Sequence, residues 1–183
     1  MQSASTTFPK TTEIQRYFRQ LNLDGCLGVS LTLKQFALGV KLDEIRASKN
    51  LRHFLNLLNS EVFGKRFKRF GKRLNVIPSL ERSSSGRLHY HLVLQKPPTR
   101  HPEMAQEADK AFLGLIENCW KRTPFGYEQI HIHDRVDHGW TDYITKNANA
   151  GDGIDWLNRT WNWRVFCPFS EFNLWKDILR RCL

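Results

Sequence analysis

Hydrophobic positions along the chain switch between two periods, and the switches outline the elements. After a Ser-, Thr- and Gln-rich stretch over residues 1–12, which reads as a loose tail, residues 13–21 suit a short helix. Leu27-Gly28-Val29-Ser30-Leu31-Thr32-Leu33 alternates as a buried strand does. Leu42, Ile45, Leu51, Phe54, Leu55, Leu58 and Val62 then recur at spacings near three and four, which predicts a helix over 42–63 with one buried face. A hairpin follows, with strands over 74–81 and 87–95 about the turn Ser83-Ser84-Ser85-Gly86. Pro102 opens a second long helix, to about Trp120, with Met104, Ala108, Ala111, Phe112, Leu115 and Ile116 facing inward. Pro124 and Gly126 mark a turn, residues 128–135 alternate as a strand, and Asp137 or Gly139 starts a helix through about Ala148. Residues 151–183 form an aromatic-rich C-terminal extension of unknown role, ending in a helix over 170–183.

Strand, helix, two strands, helix, strand, helix is the order of an α+β domain. Helices would pack on a central, antiparallel-rich sheet of about five strands. A regular alternation of parallel β and α units is absent, which disfavours a doubly wound sheet. With 183 residues and no repeat or low-complexity linker, the chain reads as one domain over 1–183.

Composition narrows the partners. The chain is 40% hydrophobic, which is globular, and carries a formal charge of +10, which favours a polyanion, nucleic acid first. The densest basic run is Lys65, Arg66, Lys68, Arg69, Lys72 and Arg73, interleaved with Phe67 and Phe70. That spacing suits gripping phosphates and stacking bases; the plainer alternative is a solvated helix end with two core phenylalanines. Trp156, Trp161 and Trp163 could form a further stacking platform, though core packing suits them better. No apolar run approaches the roughly 18 residues needed to span a bilayer, so no membrane partner is expected. Cys26, Cys119, Cys167 and Cys182 form no CxxC pair, which argues against a zinc knuckle or disulfide framework and for a reducing, cytoplasmic setting.

Two constellations carry candidate chemistry. On the strand Arg87 to Leu94, His89 and His91 lie on one face while Leu88, Tyr90, Leu92 and Leu94 take the other. Glu81, across the tight turn, returns a carboxylate beside the two imidazoles. A His-x-His pair alone is ordinary, but two nitrogens and an oxygen with open positions suit a divalent ion held for chemistry, Mg2+ or Mn2+. His131 and His133 form a second such pair; it ranks lower because no carboxylate lies across a turn, although its strand could share the same sheet face. His53, His101 and His138 read as surface or capping residues. Further on, Tyr143 and Lys146 are three apart and share a helix face. A phenol, with a pKa of about 10, attacks phosphorus only with nearby positive charge, which Lys146 or a metal would supply.

In order, these motifs resemble those of the HUH endonucleases, in particular the single-tyrosine rolling-circle replication initiators. Leu31-Thr32-Leu33 is similar to the family's apolar strand with a threonine, His89-Tyr90-His91 to its His-hydrophobic-His motif, and Tyr143-Ile144-Thr145-Lys146 to its Tyr-x-x-Lys motif. Glu81 stands where the third metal ligand is expected. The resemblance covers residues 27 to 148 and implies an RRM-like sheet with the histidines on a central strand. It implies nicking of single-stranded or origin hairpin DNA through a 5′-phosphotyrosine at Tyr143, in a prokaryotic host cell. The chain lacks a Gly-x4-Gly-Lys-Ser/Thr loop, which would leave unwinding to a host helicase. A transposase or relaxase of the same chemistry, or a non-catalytic nucleic-acid-binding module, are the alternatives.

Overall fold

The computed structural model describes residues 15–16, 18–98, 102–145, 153–155 and 158–160, and these form an α+β fold. The main sheet is antiparallel throughout. It is built from β1 (Cys26–Leu33), β4 (Val76–Arg82), β5 (Leu88–Gln95) and β6 (Gly126–His133) in the spatial order β4-β5-β1-β6. Two short strands, β2 (Phe36–Ala37) and β3 (Val40–Lys41), pair apart from it. The described main sheet thus has four strands where the sequence suggested about five. Ile154 adds an isolated bridge to Ser79 at the outer edge of β4.

α-Helices follow the strands in the chain, and the long ones pack on the sheet. Helix α1 (Glu44–Phe63) begins where the Asp43 carboxylate accepts the Arg46 amide, which satisfies a donor that the first turn leaves open. Gly64, at φ 53°, ends it. The basic helix α2 (Lys65–Phe70) follows directly. Helix α3 (Ala105–Lys121) is preceded by a 3-10 turn over Pro102–Met104.

One sheet face carries the main core. Leu27, Val29, Leu31 and Leu33 of β1 and Leu88, Tyr90, Leu92 and Leu94 of β5 pack there with Ala47, Leu51, Phe54 and Leu58 of α1 and Phe112, Ile116 and Trp120 of α3. Burying such side chains gives about 1.5–3 kcal/mol each, which is what holds helices on sheet. Two parts of the periodicity reading need correction. Ile45 is exposed, because the buried stripe of α1 starts at Ala47. Met104, Ala108 and Ala111 are also exposed; only the second half of α3 reaches the sheet, where Cys119 and Trp120 are buried instead.

The opposite face is thinly covered. A smaller cluster of Phe18, Leu21, Cys26, Ile77, Val93, Ile144 and Ile154 packs there, with Val136 and Trp140 beside it. Helix α4 (His138–Thr145) crosses this face. The Asp137 carboxylate accepts the Trp140 amide at 2.9 Å, so Asp137 caps α4. Ser79 of β4 donates its hydroxyl to the Ile144 carbonyl at 2.8 Å and ties the last turn of α4 to the sheet. Residues 153–155 and 158–160 lie along the β4 edge, where the Leu80 amide donates to the Gly153 carbonyl, Asp155 to Pro78 and Thr160 to Val76. The Tyr90 hydroxyl donates to Asp155, and the buried Asn158 amide donates to Asp155 and Ser48.

Lys146, the 1–12 tail, His101, Trp156, Trp161, Trp163, Cys167, Cys182 and the helix expected over 170–183 lie outside the described residues. No helix among the described residues is long and apolar enough to cross a membrane.

Candidate metal and tyrosine site

Strand parity builds the site. On β5 the core-facing leucines and Tyr90 force His89 and His91 to the other face. The β4–β5 register sets Glu81 opposite His89 and Ser79 opposite His91. One Glu81 carboxylate oxygen lies 3.0 Å from Nε2 of His91 and 3.5 Å from Nε2 of His89. The ligand atoms of all three side chains lie within 4.8 Å of one another, the only such group of three or more among the described residues.

The histidines differ in surroundings. The His91 side chain is only 7% exposed, and its Nδ1 is hydrogen-bonded to Ser30 Oγ on β1 at 2.9 Å. That contact holds the ring with Nε2 turned to Glu81. His89 lies opposite Thr32 and retains 24% exposure.

Tyr143 comes from the third element of the site, α4. Its hydroxyl is 3.5 Å from Nε2 of His91, and the two rings meet edge to face at 5.0 Å between centroids. The residue is 41% exposed. Its placement depends on Trp140, one turn earlier. The indole lies flat on Gly28: a Cβ there would fall 2.9 Å from Trp140 Cε2. A side chain on Gly28 would lift α4 from the sheet. Arg19 adds a second tether, donating to Asp142 at 2.8 Å, which raises the guanidinium pKa. Two buried polar atoms of α4, Trp140 Nε1 and Asp142 Oδ1, have no partner among the described residues. Unsatisfied polar atoms of this kind are rare in folded proteins.

The second histidine pair shares the face, as its alternation suggested. His131 lies beyond Ser30 from His91, and His133 beyond Gly28. Two strand spacings put His131 roughly 10 Å from His91, too far to join the triad. His133 packs against Trp140 instead, 4.9 Å between ring centroids.

The basic run is elsewhere. Lys65, Arg66, Lys68, Arg69, Lys72 and Arg73 are all exposed, on α2 and the turn after it. That segment leads into the start of β4, five residues before Glu81, or about 17 Å along the strand. It continues from α1, which packs on the face opposite the triad. Phe70 is 80% exposed, which sets aside the alternative of a core phenylalanine at that position. Phe67 instead lies under the Arg73 guanidinium at 4.8 Å.

Sequence reasoning missed Ser30, Gly28, Trp140 and Arg19. A signal existed for the first two, since Gly28, Ser30 and Thr32 are the small or polar half of the β1 alternation. Compared with known proteins, the chain matches no family model, no curated sequence and no solved structure.

Proposed function

We propose that the chain is a metal-dependent, single-tyrosine nicking endonuclease and strand-transferase of the HUH type, acting on single-stranded DNA to initiate rolling-circle replication. The observation that carries the reading is the 3.5 Å approach of a half-exposed phenol to a histidine of a Glu-His-His triad. Nothing about the separate sequence motifs requires a helix to deliver Tyr143 to that triad. The order of β1, α1, β4, β5, α3 and β6, with β5 inside the sheet, matches a β-α-β-β-α-β arrangement and supports the resemblance.

The donor set fits a hard divalent cation, Mg2+ or Mn2+. One carboxylate and two imidazoles converge, none of the three described ligands is a thiolate, and positions remain open for phosphate oxygen and water. With Nε2 as ligand, Nδ1–H of His91 would donate to Ser30 Oγ, a contact that orients the ring. When bound, such an ion polarises the scissile phosphate and offsets the charge that builds in the transition state.

Tyr143 is the nucleophile. Its oxygen bonds to phosphorus, the bond from phosphorus to the 3′ oxygen breaks, and the phenolic proton passes to water while the leaving 3′ oxygen takes one up. The product is a 5′-phosphotyrosine and a free 3′-hydroxyl. One phosphodiester has been exchanged for another, so a 3′-hydroxyl can later rejoin the strand. Lys146, next after the described end of α4, is assigned to neutralising the phosphate, and the α2 basic run to holding flanking DNA at a distance from the cut. Transposition or relaxase activity would use the same steps on a different DNA partner.

The test is denaturing electrophoresis after incubation with single-stranded oligonucleotides and Mn2+. Wild-type protein is expected to form a covalent protein–DNA band. Tyr143→Phe is expected to lose it and keep DNA binding. A Tyr143→Phe protein that still forms the adduct would overturn the assignment.

A further inference from the structure

An open cleft of about 490 Å3 shares Tyr143 with the triad's surroundings and is lined by His133, Arg135, Asp137, Gly139, Trp140 and Tyr143. We propose that this cleft takes one unpaired nucleobase of the strand whose neighbouring phosphate meets Tyr143. The inference rests on the single-stranded DNA reading and adds to it a base-binding subsite with named walls.

Three observations carry it. The volume falls in the range of small-ligand sites, about 300–1,000 Å3. Its walls are aromatic: Trp140 and Tyr143 are inclined at 36° with centroids 5.9 Å apart, and the His133 ring adds a third side. Base faces stack on such rings without regard to sequence. The Trp140 ring is also fixed beforehand, because its other side rests on the β1 backbone at Gly28. A platform that need not be ordered on binding loses less entropy when a base arrives.

Polar groups complete the site. Arg135 and Asp137, both exposed, put donors and an acceptor at the edge of the cleft, the pairing that base edges take. Tyr143 lines the cleft and also approaches His91, so the base and the attacked phosphate would meet at one residue. A base inside a duplex could not enter, since its faces are already stacked. The subsite therefore helps select unpaired DNA and sets which phosphate reaches the phenol.

The experiment measures binding, not cleavage. In the Tyr143→Phe background with Mg2+ present, fluorescence anisotropy compares a short labelled oligonucleotide of mixed sequence with its counterpart built of abasic residues. The base-bearing probe is expected to bind about tenfold more tightly, the scale of one stacked base. Adding Trp140→Ala should reduce that ratio to about threefold or less, whatever it does to the affinity for the abasic probe. Because Trp140→Ala removes a ring packed on the sheet, His133→Ala is measured alongside, with circular dichroism as the folding control; it should reduce the ratio in the same direction.

A 5-iodouracil-substituted oligonucleotide should photocrosslink to the peptide holding His133, Trp140 and residue 143. An unchanged base-to-abasic ratio in the folded variants, or crosslinks confined to other peptides, would overturn the proposal. Failure of the nuclease reading would appear separately, as absence of the covalent band in wild-type protein.

Discussion

The hydroxyl of Tyr143 stands 3.5 Å from Nε2 of His91, the same nitrogen that Glu81 approaches to 3.0 Å. One imidazole atom is therefore the meeting point of a strand carboxylate and a helical phenol. If that atom is a metal ligand, the ion and the nucleophile share one neighbourhood. His91→Ala is expected to lower adduct formation by at least about a hundredfold, the scale of a lost preorganised electrostatic contact. Chelation of divalent ions should do the same to wild-type protein, with activity restored by added Mn2+. Full adduct yield from His91→Ala in the presence of chelator would remove the metal from the mechanism.

Ser30 gives a subtler prediction. It touches no candidate substrate atom, and its hydroxyl holds Nδ1 of His91 at 2.9 Å. Partners of this kind typically change metal affinity by about 10–100-fold. Ser30→Ala should weaken Mn2+ binding by that amount in calorimetry, and raised Mn2+ should recover cleavage. A cleavage defect that saturating Mn2+ leaves untouched would assign Ser30 another role.

Gly28 is where the site meets stability. A methyl group there would meet Trp140 Cε2 at 2.9 Å, and the indole rests on backbone. Overpacking of this type costs about 1–3 kcal/mol. Gly28→Ala should lower the urea midpoint accordingly and reduce adduct yield, because α4 carries both Trp140 and Tyr143. Unchanged stability with unchanged cleavage would mean that α4 is not held by this contact.

Alkaline pH should destabilise the fold through two buried groups that take no part in the triad. Burial pushes the Cys26 thiol up from 9.0 to about 11. Burial, with the Asp155 carboxylate beside it, raises Tyr90 above the ordinary phenol range. Both folded-state values exceed those of the unfolded chain, about 8.5 for a thiol and 10 for a phenol. The folded state holds these protons longer, so their contribution is complete below about pH 8.5 and is lost as pH rises towards 11. Urea midpoints across that window should fall, and Tyr90→Phe should flatten the decline above about pH 10. A flat profile for wild type would contradict the buried, neutral state of both groups.

Much of the fold was legible because its elements are amphipathic on a single core. The β5 alternation required His89 and His91 to share a face once the leucines faced helices, and the short turn at Ser83–Gly86 required Glu81 to return beside them. The helix-face errors have one origin. Met104, Ala108 and Ala111 have the right spacing, but periodicity cannot tell how far a helix extends past the sheet it covers, and α3 overhangs it. The basic run was legible as charge and not as position: nothing in Lys65 to Arg73 reveals that α1 carries it away from the triad.

The sequence by itself determined the sheet parity, the carboxylate–histidine set and the helix bearing Tyr143, since each follows from spacing within one element or across one tight turn. Tertiary structure alone decided that β1 inserts between β5 and β6, which brings Ser30 to His91 and keeps His131 two strands away. It alone decided that α4 lies on the triad's face, seated on Gly28 by Trp140. Those relationships join residues from separate elements, and their geometry comes from packing, which no local pattern encodes.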